Sequence, residues 1–420
     1  MQKRALLRPL AVLALSLISF AAAVWAVDWP QWRGPARDGL AVGVQPPRTF
    51  PKQLSESWSV EVGLGHSSPV VVGDRVYVFS RQAEQEVVAC LRLADGRQIW
   101  RKDYPAPYEV NPAAIAHGPG PKATPVIAGE RLFTFGISGI LTAWDAGSGK
   151  QLWQKAFGRQ FATTSPLYGV ASSPIVDGDS VIVFVGGPDQ GALIALHVAT
   201  GSLRWSWDGD GPGYASPVIA NLSGSRQVIT QSQTACVGLD ADSGELLWKL
   251  PFHTDYDQNS VTPVVYKDSV VFSGLNRGVA RYRIEKQKDR WRTDKIWENK
   301  DVSLYMSSPV LSGDRLYGFS HRQKGQLFAL DLTTGKTLWT GEGRMAENTA
   351  LIRTGKVLWA LTTESDLVAF ADSPSKYTEI ARYKVASSPT WAHPALTGFG
   401  VLVKDESKLI YWLFREPRSG

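Results

Sequence analysis

One pattern, Ala329-Leu-Asp-Leu-Thr-Thr-Gly-Lys-Thr-Leu-Trp339, recurs along nearly the whole chain, and this repetition limits the possible folds more than any other feature. Ala329 to Leu332 alternate apolar and polar at the period of a β-strand. Thr333-Thr334-Gly335 supplies a turn whose Gly tolerates positive φ, and Lys336 to Trp339 begins the return strand. The same Gly-x-x-x-Trp spacing joins Gly96 to Trp100, Gly149 to Trp153, Gly201 to Trp205 and Gly244 to Trp248. Three copies are degenerate: Trp297 ends a longer charged version from Arg281, Tyr383 ends one without the Gly, and Trp58 stands alone.

A second marker precedes each hairpin, a small polar residue and Pro followed by an apolar run. It appears as Ser68-Pro69, Thr124-Pro125, Ser173-Pro174, Ser216-Pro217, Thr262-Pro263, Ser308-Pro309, Thr349-Ala350 and His393-Pro394. The mean period is (394 − 69)/7, about 46 residues, and each unit has room for about four strands. That is one blade of a β-propeller. The expected fold is therefore all-β, an eight-bladed propeller with Trp58, Trp100, Trp153, Trp205, Trp248, Trp297, Trp339 and Tyr383 docked between blades. The last unit, His393 to Phe414, holds only three strand-like runs, so Leu54 to Val62 is expected to complete it and close the ring.

Three regions follow: a signal peptide at 1–26, a Trp/Pro-rich arm at 27–53 that packs on the ring, and the propeller at 54–416. Lys3, Arg4 and Arg8 precede the apolar run Leu10 to Val24, with cleavage expected after Ala26 and export to the periplasm or beyond. An uncleaved segment would instead leave the protein membrane-associated. Net charge is +6, and removing those three positives leaves 6 − 3 = +3, too mild for a nucleic-acid partner. Cys90 and Cys236 fall in units three apart and are expected as buried free thiols in a monomeric ring. Tyr104 to Pro121, with five prolines and His117, reads as a loop insertion without strands.

If the Ser/Thr-Pro runs are the innermost strands, the residues before them line one mouth of the central channel. That rim would hold His66, Lys122, Tyr168, Tyr214, Asp257 and Asn259, and on the other side Tyr305, Met306, Glu347, Asn348, Trp391 and His393. Aromatics beside hydrogen-bonding groups around a concavity are what a small-molecule or peptide site requires. His66 and His393 come from adjacent blades but lack further ligands nearby, so no metal site is assigned. No nucleophile elbow or phosphate loop is present, and the Ser-Ser-Pro serines are expected to bond neighbouring backbone.

The Ala-x-Asp-x-x-Thr-Gly-x-x-x-Trp pattern of Ala329 to Trp339 resembles the tryptophan-docking repeat of the quinoprotein family, the pyrroloquinoline quinone (PQQ)-like propellers. The family includes PQQ-dependent alcohol dehydrogenases and BamB-like propellers of the outer-membrane β-barrel assembly machinery. The likeness covers roughly Leu54 to Phe414, and Asp28 to Gly39 looks like the opening of secreted members. By resemblance, the expected role is a non-catalytic scaffold for envelope proteins or peptides, with no cofactor. The alternatives are a small PQQ-dependent dehydrogenase using Ca²⁺ and a carbohydrate- or small-ligand-binding propeller. No two cysteines are adjacent, and no family catalytic motif matches, so no catalytic residue is carried over.

Overall fold

The computed structural model describes residues 27–414, and the expected signal peptide lies outside them. Among the described residues, 32 strands form eight four-stranded antiparallel sheets. Blades 1 to 7 each use four consecutive strands. Blade 8 is ordered Ser55–Glu61, Lys408–Leu413, Gly400–Lys404, Ala395–Leu396, so the strand before blade 1 fills the outer place in the last sheet. Trp58 pairs with Tyr411 and Ser59 with Ile410 in that closure.

Burial explains the different sequence textures of the strands. In blade 3, Ser180–Gly187 is buried at every position because neighbouring blades cover both faces. By contrast, the outer strand Gln151–Ala156 of blade 2 has no fully buried residue. The first strands of neighbouring units approach one another around the centre, which makes them the channel wall.

The repeat residues perform two jobs in one turn. Asp331 accepts the Thr333 and Thr334 N–H groups at 2.7 and 2.9 Å, and Gly335 takes φ +74°. A Cβ at Gly335 would lie 2.6 Å from Trp297 of the preceding blade, whose indole N–H donates to Leu332 O at 2.8 Å. The Gly therefore supplies both the left-handed turn and the seat for a neighbour's ring. Trp58, Trp100, Trp153 and Trp205 sit likewise against Gly96, Gly149, Gly201 and Gly244, and donate to Leu93, Ala146, Val198 and Ala241 carbonyls. Trp339 donates to Ser373 O at 2.8 Å.

Two positions depart from the expected docking. Trp248 turns back into its own blade, donating to Gln227 Oε1 at 2.7 Å and covering Gly238. Blade 5 has no Gly turn to receive it, because the hairpin Val279–Gln287 and Arg290–Asn299 replaces that turn with long charged strands. Tyr383 reaches Pro51 O at 2.9 Å, since blade 8 lacks the turn as well.

The Ser/Thr of the second marker form a belt. Backbone N–H groups of Ser68, Thr124, Ser173 and Thr262 donate to hydroxyls of Thr124, Ser173, Ser216 and Ser308 in the next blade, at 2.9–3.3 Å. His393 N–H closes the circuit on Ser68 Oγ at 2.9 Å. The insertion after blade 1 is more ordered than its composition implies: Tyr104 and Pro105 finish the strand Gln98–Pro105, and Pro112–His117 forms a 3₁₀ turn capped by Asn111. Both cysteines are buried and free.

Candidate functional site

The arm is the element that shapes the centre. Asp28 meets the Gly73 N–H at the far turn of blade 1, and Trp29 pairs with Val71 in both directions at 2.7 and 2.9 Å. The chain then runs up into the channel. Arg37 donates to Ser173 and Pro174 carbonyls at 3.0 and 2.7 Å, Arg33 donates to Pro309 O, and Trp32 Nε1 donates to Thr262 Oγ1 at 3.0 Å. It leaves along blade 7, where Ala41 N–H donates to Arg353 O. Trp29, Arg33 and Arg37 are at most 2% exposed, so the arm fills the channel from one end and makes the other end a basin.

Around that basin the expected rim residues divide into three sets. One is aromatic and basic: the His66 ring lies 6.0 Å from Trp391, and Tyr168 lies 5.9 Å from Tyr214. His117, from the insertion, joins them with its ring 5.3 Å from Trp391 and 6.0 Å from Tyr168. His66 Nε2 bonds His117 O at 3.1 Å, and the Lys122 amine is buried without a hydrogen-bond partner.

On the opposite side, Tyr305 donates to Gln258 Oε1, and Gln233 Nε2 donates to Asp257 Oδ2 at 3.0 Å. Between these sets a cavity of about 40 Å³ is lined by Trp32, Met306, Asn348, Trp391 and His393.

One expected rim residue does not serve the basin. Asn259 is fully buried, its amide donating to Ser232, Gln233 and Phe252 carbonyls while its Oδ1 accepts from Thr254, so it ties loops together. Glu347 is exposed to solvent at the basin end, near enough for its charge to act on Tyr305. Conversely, sequence reasoning missed Trp32 and left His117 as a loop residue. No local signal marked Trp32 as the floor, because its partners Thr262 and His393 lie hundreds of residues away.

Burial governs the titration of the site. His66 is pushed down to about 3 by burial, with the Lys122 charge adding to it, and His393 also to about 3 by burial with Arg33 nearby. Burial lowers the Lys122 amine to about 8. Both histidines are therefore neutral at pH 7, and the unfolded chain takes up protons first as pH falls below the ordinary histidine range. Stability should then fall with pH between about 6.5 and 3, by roughly 1–3 kcal/mol per histidine at pH 4. Replacing His393 by Gln should flatten the melting temperature against pH across that window. A slope equal to the parent's would show that His393 carries none of the effect.

The Ca²⁺ and quinone of the dehydrogenase branch require converging oxygen ligands and a ring platform. The oxygens of Asp257, Asn259 and Glu347 are engaged elsewhere or face solvent. No group of three or more His, Cys, Asp or Glu side chains converges among the described residues. The donor set does not fit that pair, and no chemical step is derived through it.

Comparison with known proteins agrees with the repeat. The family described as "Outer membrane protein assembly factor BamB" matches residues 83–341. Outer membrane protein assembly factor BamB of Burkholderia pseudomallei (strain K96243) is 28% identical over 346 residues, covering 72% of this chain and 86% of that protein. The crystal structure of BamB from Moraxella catarrhalis has a TM-score of 0.64 at 16% identity, covering 86% of this chain and 99% of its own. A quinohemoprotein alcohol dehydrogenase from Comamonas testosteroni has a TM-score of 0.65 at 13% identity, covering 94% of this chain and 82% of its own. At these identities the structural likeness is one of fold. With the family match extending over more than half its length, on a ring assembled from these same repeats, the chain belongs to the BamB family.

Proposed function

We propose that this protein is a non-catalytic scaffold of the bacterial envelope that binds outer-membrane proteins or their assembly partners. The observation that carries this reading is the family match over residues 83–341, whose description is an outer membrane protein assembly factor. Export to the periplasmic side follows from the basic, apolar and small-residue order of 1–26. The basin supports binding over chemistry, since His66 and His393 are neutral at pH 7 and no histidine there is paired with a nucleophile.

The loops at the basin end offer a surface for such partners. Ile115 and Tyr256 are 68% and 75% exposed, and Leu64 and Leu167 are also uncovered. Between the insertion and the loop entering blade 3 runs a cleft of about 380 Å³, lined by Tyr108, Val110, Pro166 and Leu167 among others. Exposed large apolar groups beside a cleft are the anatomy of a protein-binding patch. A photo-reactive residue at Ile115 should cross-link an outer-membrane β-barrel protein or an assembly partner in intact cells, and the same residue at Lys150 on the opposite turns should not. Equal labelling from both positions, or none from either, would overturn the reading.

A further inference from the structure

Two lysine amines are buried near the basin, and they are held very differently. Lys404 donates to the carbonyls of Gly65, Asp405 and Glu406 at 2.6, 3.1 and 3.2 Å, which accounts for all three of its protons. Lys122 has the same three donors and no partner. Its neighbours are His66 and His117, both close enough to feel its charge and neither able to offer it a carboxylate. Deeper in the channel, Arg33 and Arg37 donate to backbone carbonyls and to Gln31, so no carboxylate neutralises them through a hydrogen bond.

A desolvated amine without a partner is costly, and low-dielectric walls of one sign focus the field on the opposite charge. The aromatic cluster of the basin holds a hydroxyl donor. Tyr214 Oη accepts the Tyr168 N–H at 3.2 Å, which leaves its own proton to donate. Aromatic rings surround His117, which feels the Lys122 charge and lies edge-on to both Trp391 and Tyr168. A single amine with a hydroxyl donor and neutral imidazoles suits a carboxylate. A phosphate would call for a guanidinium fork or a nest of backbone N–H groups.

We infer that the basin is a carboxylate-binding site, with Lys122 as the charge partner and the rings of Trp391, His117 and Tyr168 flanking a planar ligand. The arm closes the far end, so the ligand enters from the exposed loop face. The carboxylate belongs either to a free organic acid or to the end of a polypeptide. The inference deepens the scaffold reading by naming the chemistry recognised at the same face. The two fail separately, because one is tested by capture in cells and the other by titration of the purified protein.

Calorimetric titration at low salt would use benzoate against benzamide, and acetyl-trialanine with a free against an amidated C-terminus. At least one acid should bind with a dissociation constant below about 1 mM and about tenfold or more tighter than its amide. Benzoate alone points to a free acid, and the tripeptide to a chain end. Lys122→Met should lose about tenfold or more in affinity while melting no lower than the parent, since it removes an unpartnered buried donor. Acids that bind no better than their amides, or not at all, would overturn the site even if the variant did not fold. Undiminished binding by Lys122→Met, or a melting temperature well below the parent's, would overturn the role of the amine.

Discussion

A chain lacking Ser55–Glu61 should not hold its ring, and we expect it to melt at least about 15 °C below the parent or to aggregate on purification. The segment supplies the outer strand of blade 8, pairing with Lys408–Leu413 along its whole length. It also carries Trp58, 8% exposed, whose indole docks on Gly96 and donates to Leu93 O of blade 1 at 2.8 Å. Losing one buried Trp costs about 3–5 kcal/mol before any backbone pairing is counted. The deletion would also uncover the apolar edge around Leu409, Ile410 and Tyr411, which are buried in the intact ring, and an unpaired apolar edge invites association. Calorimetry and size-exclusion chromatography measure both consequences. A truncated chain that stays monomeric and melts within about 3 °C of the parent would show that the ring closes without this strand.

This closure was legible because counting strands in the last unit leaves one place empty, and Leu54 to Val62 is the one strand-like run ahead of the first unit. The same holds for the docking turns. Gly and Trp at fixed spacing report a contact between blades because each Gly seats a ring from its neighbour, as Gly335 seats Trp297. Trp248 shows the limit of that logic. Its own turn has the right residues, but docking depends on the turn of the following blade, which the charged hairpin replaces.

The basin was only half legible. Residues before the Ser/Thr-Pro markers lie beside one another, His66 by Trp391 and Tyr168 by Tyr214, and hydroxyl bonds tie several neighbouring inner strands together. What each side chain does there depends on contacts that spacing does not encode. Asn259 and Lys122 are both polar residues ahead of a marker, yet one is bonded on every side and the other has no partner. The arm was expected to pack on the ring, but its entry into the channel was not legible, because the carbonyls that hold Arg33 and Arg37 belong to blades 6 and 3.

Those contacts make Trp29 the residue on which the filled channel depends. It is 1% exposed, its backbone pairs with Val71 in both directions, and the arm folds so tightly over it that a Cβ at Gly34 would lie 2.9 Å from the ring. Trp29→Ala should therefore lower stability by about 3–5 kcal/mol through the lost burial and the cavity left behind. The loss falls on the arm, whose opening does not require a blade to unfold. Arg33 is buried in the parent and should resist trypsin there. In the variant, cleavage after Arg33 should speed up by about a hundredfold or more, as expected when the open form gains about 3 kcal/mol in population. Trp29→Phe, which keeps part of the apolar area, should fall between the two. Melting that drops without any faster cut after Arg33 would mean that Trp29 stabilises the ring as a whole. A faster cut would identify the arm as a separable plug, held in the channel by one tryptophan and two arginines.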